Sequence, residues 1–363
     1  MAGDATVEAR LDARTGPAAE ALVRDEGGGA LRCLACGHRC LVRDGMRGIC
    51  RVRSNEGGRL RVPRGYAAAV AVDPVEKKPF FHALPGSAAL SFGMLGCDFH
   101  CGYCQNWVTS QTLRDPESTS DLTDLEPRDL VAAARRAGAP ILVSTYNEPL
   151  ITAEWAAEVF DEARAAGLLT GFVSNGNATP EVLRFLRPRT DLYKVDLKGF
   201  REETYRRLGG TLSNVCATIE GLKAAGFWVE IVTLLVPNLN DGEDEVRALT
   251  SFVAGVSPDI PWHVTAFHPD YRMTDRGGTA AAALLRAAEI GRAAGLRYVY
   301  PGNMPGRVGD GEDTRCPSCR ATLVRRVGFR VLEDRLTPAG GKCPGCGTAI
   351  PGVWRRPRAA ATS

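Results

Sequence analysis

The pattern of apolar and polar positions changes character twice along the chain. From residue 88 onward, short apolar runs alternate with amphipathic stretches. Strands are predicted at 88–95, 140–145, 168–174, 191–197, 227–236, 261–267 and 296–300. Between them the apolar spacing predicts helices at 126–138, 152–166, 179–186, 201–206, 213–225, 242–255 and 279–294. Gly138, Gly167, Gly226 and Gly295 stand where a helix needs a left-handed residue to end it. Strands alternating with helices predict an α/β fold, a parallel sheet with helices on its outer face. Six or seven β/α units span roughly 210 residues, too few for a standard eight-unit barrel and suited to an open, partial (β/α)6 TIM-like barrel.

The flanks read differently. Residues 1–30 are rich in Ala, Gly, Arg and Asp and end in Gly27-Gly28-Gly29, which predicts a flexible leader. Residues 31–86 form a Cys-, Gly- and Arg-rich segment with short strand-like runs, expected to bind metal. The barrel occupies 87–305, and 306–363 is a cysteine-paired tail.

Composition narrows the function. The 363 residues are 44% hydrophobic and 24% charged, enough for a sizeable core. Forty-five basic against forty-two acidic residues give a net charge of +3, which makes nucleic acid an unlikely partner. No run of eighteen apolar residues suits a bilayer, and the first residues lack the order of a secretory signal. The expected location is cytoplasmic, without a membrane partner.

Twelve cysteines carry the chemistry, in sets of four, three, four and one. Pairs two or three residues apart in a chain this long point to bound metal in a reducing compartment rather than to disulfides. The middle set, Cys97, Cys101 and Cys104, follows the first barrel strand as C-x3-C-x2-C. Three thiolates on one loop suit three irons of a cubane whose fourth iron has no protein ligand. A zinc knuckle completed by His100 is the competing reading, although structural zinc favours four closed ligands.

At these residues the chain resembles the radical S-adenosylmethionine (radical SAM) superfamily: the cysteine spacing, Tyr103 just before the last cysteine, and the position after the first strand all match. The resemblance implies a [4Fe–4S] cluster whose open iron binds SAM, and reductive cleavage of SAM to a 5′-deoxyadenosyl radical that abstracts hydrogen from a substrate. It also assigns the strand ends. Asn147 and Glu148, in Tyr146-Asn147-Glu148-Pro149, stand where family members hold the SAM amino group. Ser174 and Asn175 lie in a segment similar to the Thr-Asn-Gly of glycyl-radical activating enzymes. Asp196 and Lys198 match the Asp-Leu-Lys of those enzymes, facing ribose and carboxylate. His268 stands where they carry a histidine near the adenosyl group. The bland alternatives are a turn, a surface ion pair and a core imidazole.

A finer resemblance is to the radical SAM enzyme of the AmmeMemoRadiSam system, related to pyruvate formate-lyase activating enzymes. It rests on segments 33–40, 73–87, 96–107, 145–149 and 350–354. It implies association with Memo-like and AMMECR-like proteins, an electron donor such as flavodoxin or ferredoxin, and activation of a protein substrate or modification of a small molecule.

The outer cysteine sets are closed quartets. Cys316, Cys319, Cys343 and Cys346 form two knuckles separated by 23 residues, the pattern of a zinc ribbon, here read as a staple for a small tail. Cys33, Cys36, Cys40 and Cys50 suit zinc or a second iron–sulfur cluster, with His38 as a neighbour. Cys216 sits in a helical pattern and is expected as a small buried hydrophobe. A non-catalytic scaffold of zinc and iron–sulfur sites serving interaction is the alternative to an enzyme.

Overall fold

The computed structural model describes residues 6–356. Its centre is one eight-stranded sheet. Seven parallel strands follow one another in chain order: Ala88–Gly93, Ile141–Ser144, Leu169–Ser174, Leu192–Asp196, Trp228–Leu235, Trp262–Ala266 and Val299–Gly302. The eighth, Ala69–Pro74, pairs antiparallel with Ala88–Gly93 at one edge. The two edge strands do not pair with each other, so the sheet stays open. Below, the parallel strands are called first to seventh.

Ile141–Ser144 is buried at every position, as a parallel strand covered on both faces must be. Each connecting helix lays an apolar stripe on the sheet. Pro127–Arg136 starts on a capping box between Glu126 and Asp129, buries Leu130, Val131 and Ala134, and ends before Gly138 at φ +64°. Between sheet and helices, Phe160 packs edge-on against Phe92 and Phe172, and Phe172 stacks on Tyr193.

The opposite face of the sheet is plugged at one end by the chain's own flanks. Val75, Phe80, Ala83 and Leu84 pack on Ala89, Ile141, Val143, Leu169 and Leu192. The tail reaches the same place: Ala83 bridges Val353, the Leu84 N–H donates to the Val353 carbonyl, and the Val353 N–H donates to that of His82. No described helix is long and apolar enough to cross a membrane.

The expected leader differs. Residues 1–5 lie outside the described residues, but 6–30 are folded. Thr6 caps the helix Val7–Asp12, Thr15–Pro17 pairs with Arg59–Pro63, and Val23–Asp25 pairs with Leu31–Cys33. Leu11 and Leu22 are buried in the main core, which ties the segment down. Gly27, Gly28 and Gly29 all have positive φ and make the hairpin turn that reverses the chain. A glycine run therefore marks a turn here, not a linker. The strand Ala69–Pro74 likewise belongs to the central sheet rather than to the metal-binding segment before it. In the tail, the stretch between the two cysteine knuckles holds two paired strands, Thr322–Val327 and Arg330–Asp334, turning at Gly328. Cys216 is half-buried rather than buried.

Candidate active site

The loop 96–107 begins at the end of the first strand, and its entry requires glycine. Gly96 has φ +93°, and a Cβ there would lie 2.7 Å from Val52 Cγ1 and 3.3 Å from the Cys50 carbonyl. Arg114 Nη1 donates to the carbonyls of Cys97 (2.8 Å) and Phe99 (3.2 Å), and the His100 N–H to that of Leu208. These bonds hold the backbone of the loop around its three cysteines.

Cys97, Cys101 and Cys104 line one cavity of about 460 Å³ on the concave side of the sheet. Burial pushes all three thiols up, Cys101 to about 12, while the Lys198 ammonium acts in the opposite sense on Cys101 and Cys104. Thiolates at this depth require a cationic partner, which is the condition a metal cluster meets. Their spacing agrees. Among the described residues, no three His, Cys, Asp or Glu ligand atoms outside the tail lie within 4.8 Å of one another. The trio is too open to close on one ion and suits thiols that each take a separate iron. His100 packs its ring on Gly209 and does not line the cavity, so the zinc-knuckle alternative finds no fourth ligand there.

Seven of the eight residues assigned to SAM line the same cavity: Tyr103, Asn147, Glu148, Ser174, Asn175, Asp196 and Lys198. His268 does not. It is exposed at the rim, its Nε2 3.0 Å from Nε2 of the cavity-lining Gln105.

Their hydrogen bonds divide the seven. Glu148 Oε1 accepts from Ser174 Oγ (2.7 Å) and the Leu150 N–H (3.1 Å), and Oε2 accepts from the Asn175 N–H (2.7 Å). Burial, with the nearby Asp98 charge, pushes this carboxyl up to about 8 against those donors. Asn175 donates its amide to Asp98 (2.7 Å) and accepts from the Asn177 N–H (2.9 Å), so its side chain is already spent. Ser174 and Asn175 therefore position Glu148 and Asp98. Asn147 is turned back on the backbone, accepting from the Met94 N–H at 3.1 Å. Asp196 pairs with both Lys194 and Lys198. Tyr205 OH accepts from the Lys198 N–H at 3.0 Å and fixes that end of the strand.

Several residues here escape a reading of the sequence. Fully buried Asp98 gathers the amides of Asn175 and Asn177. Tyr146 adopts φ +71°, with its hydroxyl 2.9 Å from Ser91 Oγ and accepting from Lys78 Nζ (3.1 Å). Gly93 permits that turn, since a Cβ there would fall 2.3 Å from the Thr145 carbonyl. Deeper in the cavity stands His263, bonded to Glu230 at 2.7 Å. Lys194 and Glu230 did carry a signal: each is a charge inside an apolar strand run, and both are buried.

The two quartets part company. Cys316, Cys319, Cys343 and Cys346 bring their sulfurs within 4.8 Å of one another, with two pairs at 3.6 Å. Cys33, Cys36 and Cys50 are buried and Cys40 half-buried, with wider spacing.

Several known proteins are similar to this chain. A domain of a pyruvate-formate lyase-activating enzyme from Bacteroides vulgatus is 16% identical, over 44% of this chain and 98% of that one, at TM-score 0.39. A radical SAM methyltransferase from Sphaerobacter thermophilus is 14% identical, over 85% and 84%, at TM-score 0.46. An uncharacterised protein of Methanocaldococcus jannaschii is 35% identical over 322 residues, covering 88% of this chain and 95% of that protein. The model of the Radical SAM superfamily matches residues 93–250, from the last residue of the first strand through the cysteine loop to the helix after the fifth strand, and the chain belongs to that superfamily.

Proposed function

We propose that this chain is a radical SAM enzyme that holds a [4Fe–4S] cluster on Cys97, Cys101 and Cys104 and binds SAM beside it. One observation carries the reading: three thiols, Cys101 buried and Cys97 and Cys104 half-buried, converge on a cavity that also holds Glu148 and the Lys194–Asp196–Lys198 group, and among the described residues no closed set of ligand atoms forms around them. When bound, cluster and SAM supply a one-electron cleavage of the sulfonium to methionine and a 5′-deoxyadenosyl radical, which abstracts hydrogen from substrate.

The chain's own residues bind, orient and exclude water. Glu148 receives the SAM ammonium, oriented by Ser174 and Asn175, and Asn147 shapes the turn beside it. Lys198 receives the carboxylate, and Asp196 holds Lys198 or meets the ribose hydroxyls. Tyr103, buried between two of the thiols in sequence, walls the loop side. His268 reaches the site only through Gln105. The plugged floor keeps bulk water from one end of the cavity, as radical chemistry demands.

The finer assignment to the AmmeMemoRadiSam branch draws support from the contact between two of its segments, 73–87 and 350–354, across the Ala83–Val353 bridge. On that reading the partners are a flavodoxin- or ferredoxin-type donor, Memo-like and AMMECR-like proteins, and a protein or small-molecule substrate. The tail quartet is assigned zinc, because four sulfurs this close match tetrahedral closure. The segment 31–86 serves as metal-binding flank up to the strand Ala69–Pro74, which joins the central sheet, and 87–305 and 306–363 serve as catalytic barrel and ribbon.

The test is anaerobic reconstitution with dithionite and SAM. The expected result is 5′-deoxyadenosine and methionine, both abolished in Cys97→Ala/Cys101→Ala/Cys104→Ala together with the loss of about four irons per chain. SAM cleavage that survives the triple substitution, or an iron content that the substitution leaves unchanged, overturns the assignment.

A further inference from the structure

The trio and the tail quartet have their roles, but the N-terminal quartet has none so far. Cys33 ends the strand Leu31–Cys33, Cys36 and Cys40 flank the turn after it, and Cys50 lies on the loop before Ser54. The Cys33 N–H donates to the Cys40 carbonyl at 2.9 Å, and the Ile49 N–H to Cys40 Sγ at 3.4 Å. All four are free thiols, and Cys33 is in electrostatic reach of Cys36, Cys40 and Cys50. Cys33 is thus the common neighbour of the other three thiols.

The same chain supplies two standards for what such a set of thiols holds. A tetrahedral zinc with Zn–S bonds of about 2.3 Å puts its sulfurs about 3.8 Å apart. The tail quartet meets that, with sulfurs 3.6 Å apart in two pairs and all four inside 4.8 Å. The N-terminal quartet does not: no three of its sulfurs lie within 4.8 Å of one another, the openness also found in the trio. A cubane spreads its ligands in this way, because each thiolate binds a different iron.

We propose that Cys33, Cys36, Cys40 and Cys50 hold a second [4Fe–4S] cluster, fully ligated by protein and therefore without a position for SAM. Its surroundings suit a buried anionic group. The Arg53 guanidinium, 1% exposed, lies in reach of Cys33 and Cys50 while its far side pairs with Glu154. The knuckle is docked rather than free. The Gly37 N–H donates to the Asn177 carbonyl at 2.7 Å, Thr179 Oγ1 donates to the Leu34 carbonyl, and Arg39 grips Glu181 with two bonds of 3.1 and 2.7 Å.

The docking makes the two cysteine sites neighbours. His38, two residues after Cys36, places Nε2 3.2 Å from the carbonyl of Asp98, the residue after Cys97. Asp98 also ties down Asn175 and Asn177, so one buried carboxylate is shared by both surroundings. This adjacency bears on SAM chemistry only if the trio reading holds; the second cluster itself stands on the quartet.

Metal analysis of the full chain, purified and reconstituted anaerobically, tests this. The wild type should carry about eight irons and about one zinc. Cys97→Ala/Cys101→Ala/Cys104→Ala should keep about four irons, all from the quartet, and Cys36→Ser/Cys50→Ser should keep about four from the trio. Electron paramagnetic resonance of the reduced wild type should show two mutually broadened signals, each variant leaving one that is sharp. If the trio variant is iron-free with about two zincs, the quartet is a zinc site and the proposal fails. It fails equally if that variant is iron-free with the quartet thiols still open to alkylation. If the trio variant instead keeps all of a wild type's roughly four irons, the quartet stands and the trio reading falls. The trio variant leaves the N-terminal segment untouched, so its iron content decides the matter even where the quartet variant fails to fold.

Discussion

At the scale of single residues, Glu148 separates holding from being held. Its two oxygens accept from Ser174 Oγ and the N–H groups of Leu150 and Asn175, all within 3.1 Å. A neutral amide in its place keeps one acceptor but turns an NH₂ toward groups that also donate, and removes the charge an ammonium needs. Glu148→Gln should weaken SAM binding by about tenfold or more, since a buried charge-assisted contact contributes about 1.5–3 kcal/mol. Iron content should not change, because Glu148 is not among the sulfur ligands. Isothermal titration of the reconstituted protein with SAM, alongside iron analysis, reads both quantities. Unchanged SAM affinity would remove Glu148 from the site. In the sequence the position was legible through the resemblance of its turn to the one that holds the SAM amino group; the neighbouring acid Asp98 was not. Asp98 sits between a cysteine and a phenylalanine, with no periodic pattern to separate a buried acid from an exposed one. Only the fold brings it to Asn175 and Asn177, 77 and 79 residues away.

At the scale of elements, the parallel strands and their order were readable, because burial on both faces leaves unbroken apolar runs. Their ends were readable too, since Asn175, Asp196 and Lys198 are polar residues where such runs stop. Turns were harder. The glycine run 27–29 looks like a linker and is a hairpin, since positive φ serves both and only the pairing of Val23–Asp25 with Leu31–Cys33 decides. The left-handed Tyr146 gave no warning, because its conformation is imposed by the hydroxyl contacts to Lys78 and Ser91. Gly96 is the turn on which the cysteine loop depends. Gly96→Ala forces an L residue to φ +93° and drives its Cβ against Val52 and the Cys50 carbonyl. The expected cost is about 2–4 kcal/mol. Because the strain falls between both N-terminal cysteine sites, cluster loading should drop with the unfolding midpoint. Denaturant unfolding and iron analysis check this; a variant with wild-type values of both would show that the loop tolerates the shift.

At the scale of the whole molecule, three stretches remote in sequence close the floor of the sheet, and a buried polar network joins them. Glu230 accepts from the N–H groups of Phe81 and His82, from Trp228 Nε1 and from His263 Nε2, at 2.7–3.0 Å. His82 lies 2.7 Å from the Pro351 carbonyl through Nδ1 and 2.6 Å from Tyr300 OH through Nε2. A carbonyl only accepts, so Nδ1 carries the proton and Nε2 accepts from the tyrosine; the neutral ring is fully satisfied. Around it, Trp354, Tyr298 and Trp228 exclude water, and the core of the tail, with Leu323, Val324 and Ile350, continues the same cluster. Burial lowers His82 to about 4, Arg326 and His263 act in the same sense, and Glu230 opposes them. The sign of the pH effect follows. Between about 4 and the ordinary value of 6.5, the unfolded chain binds a proton at this histidine that the folded chain refuses. Stability from His82 is therefore present above pH 6.5 and lost as pH falls toward 4, by up to about 3 kcal/mol. Buried His263 is lowered as well and adds in the same direction. The melting temperature should drop between pH 7.5 and 4.5, and His82→Gln, less stable at neutral pH, should show a shallower fall. If the two slopes coincide, the floor does not set the acid limit. Since the floor joins residues 81–82, 230, 263, 300 and 351–354, the acid transition should unfold the tail and the central sheet together, in one step by both circular dichroism and tryptophan fluorescence.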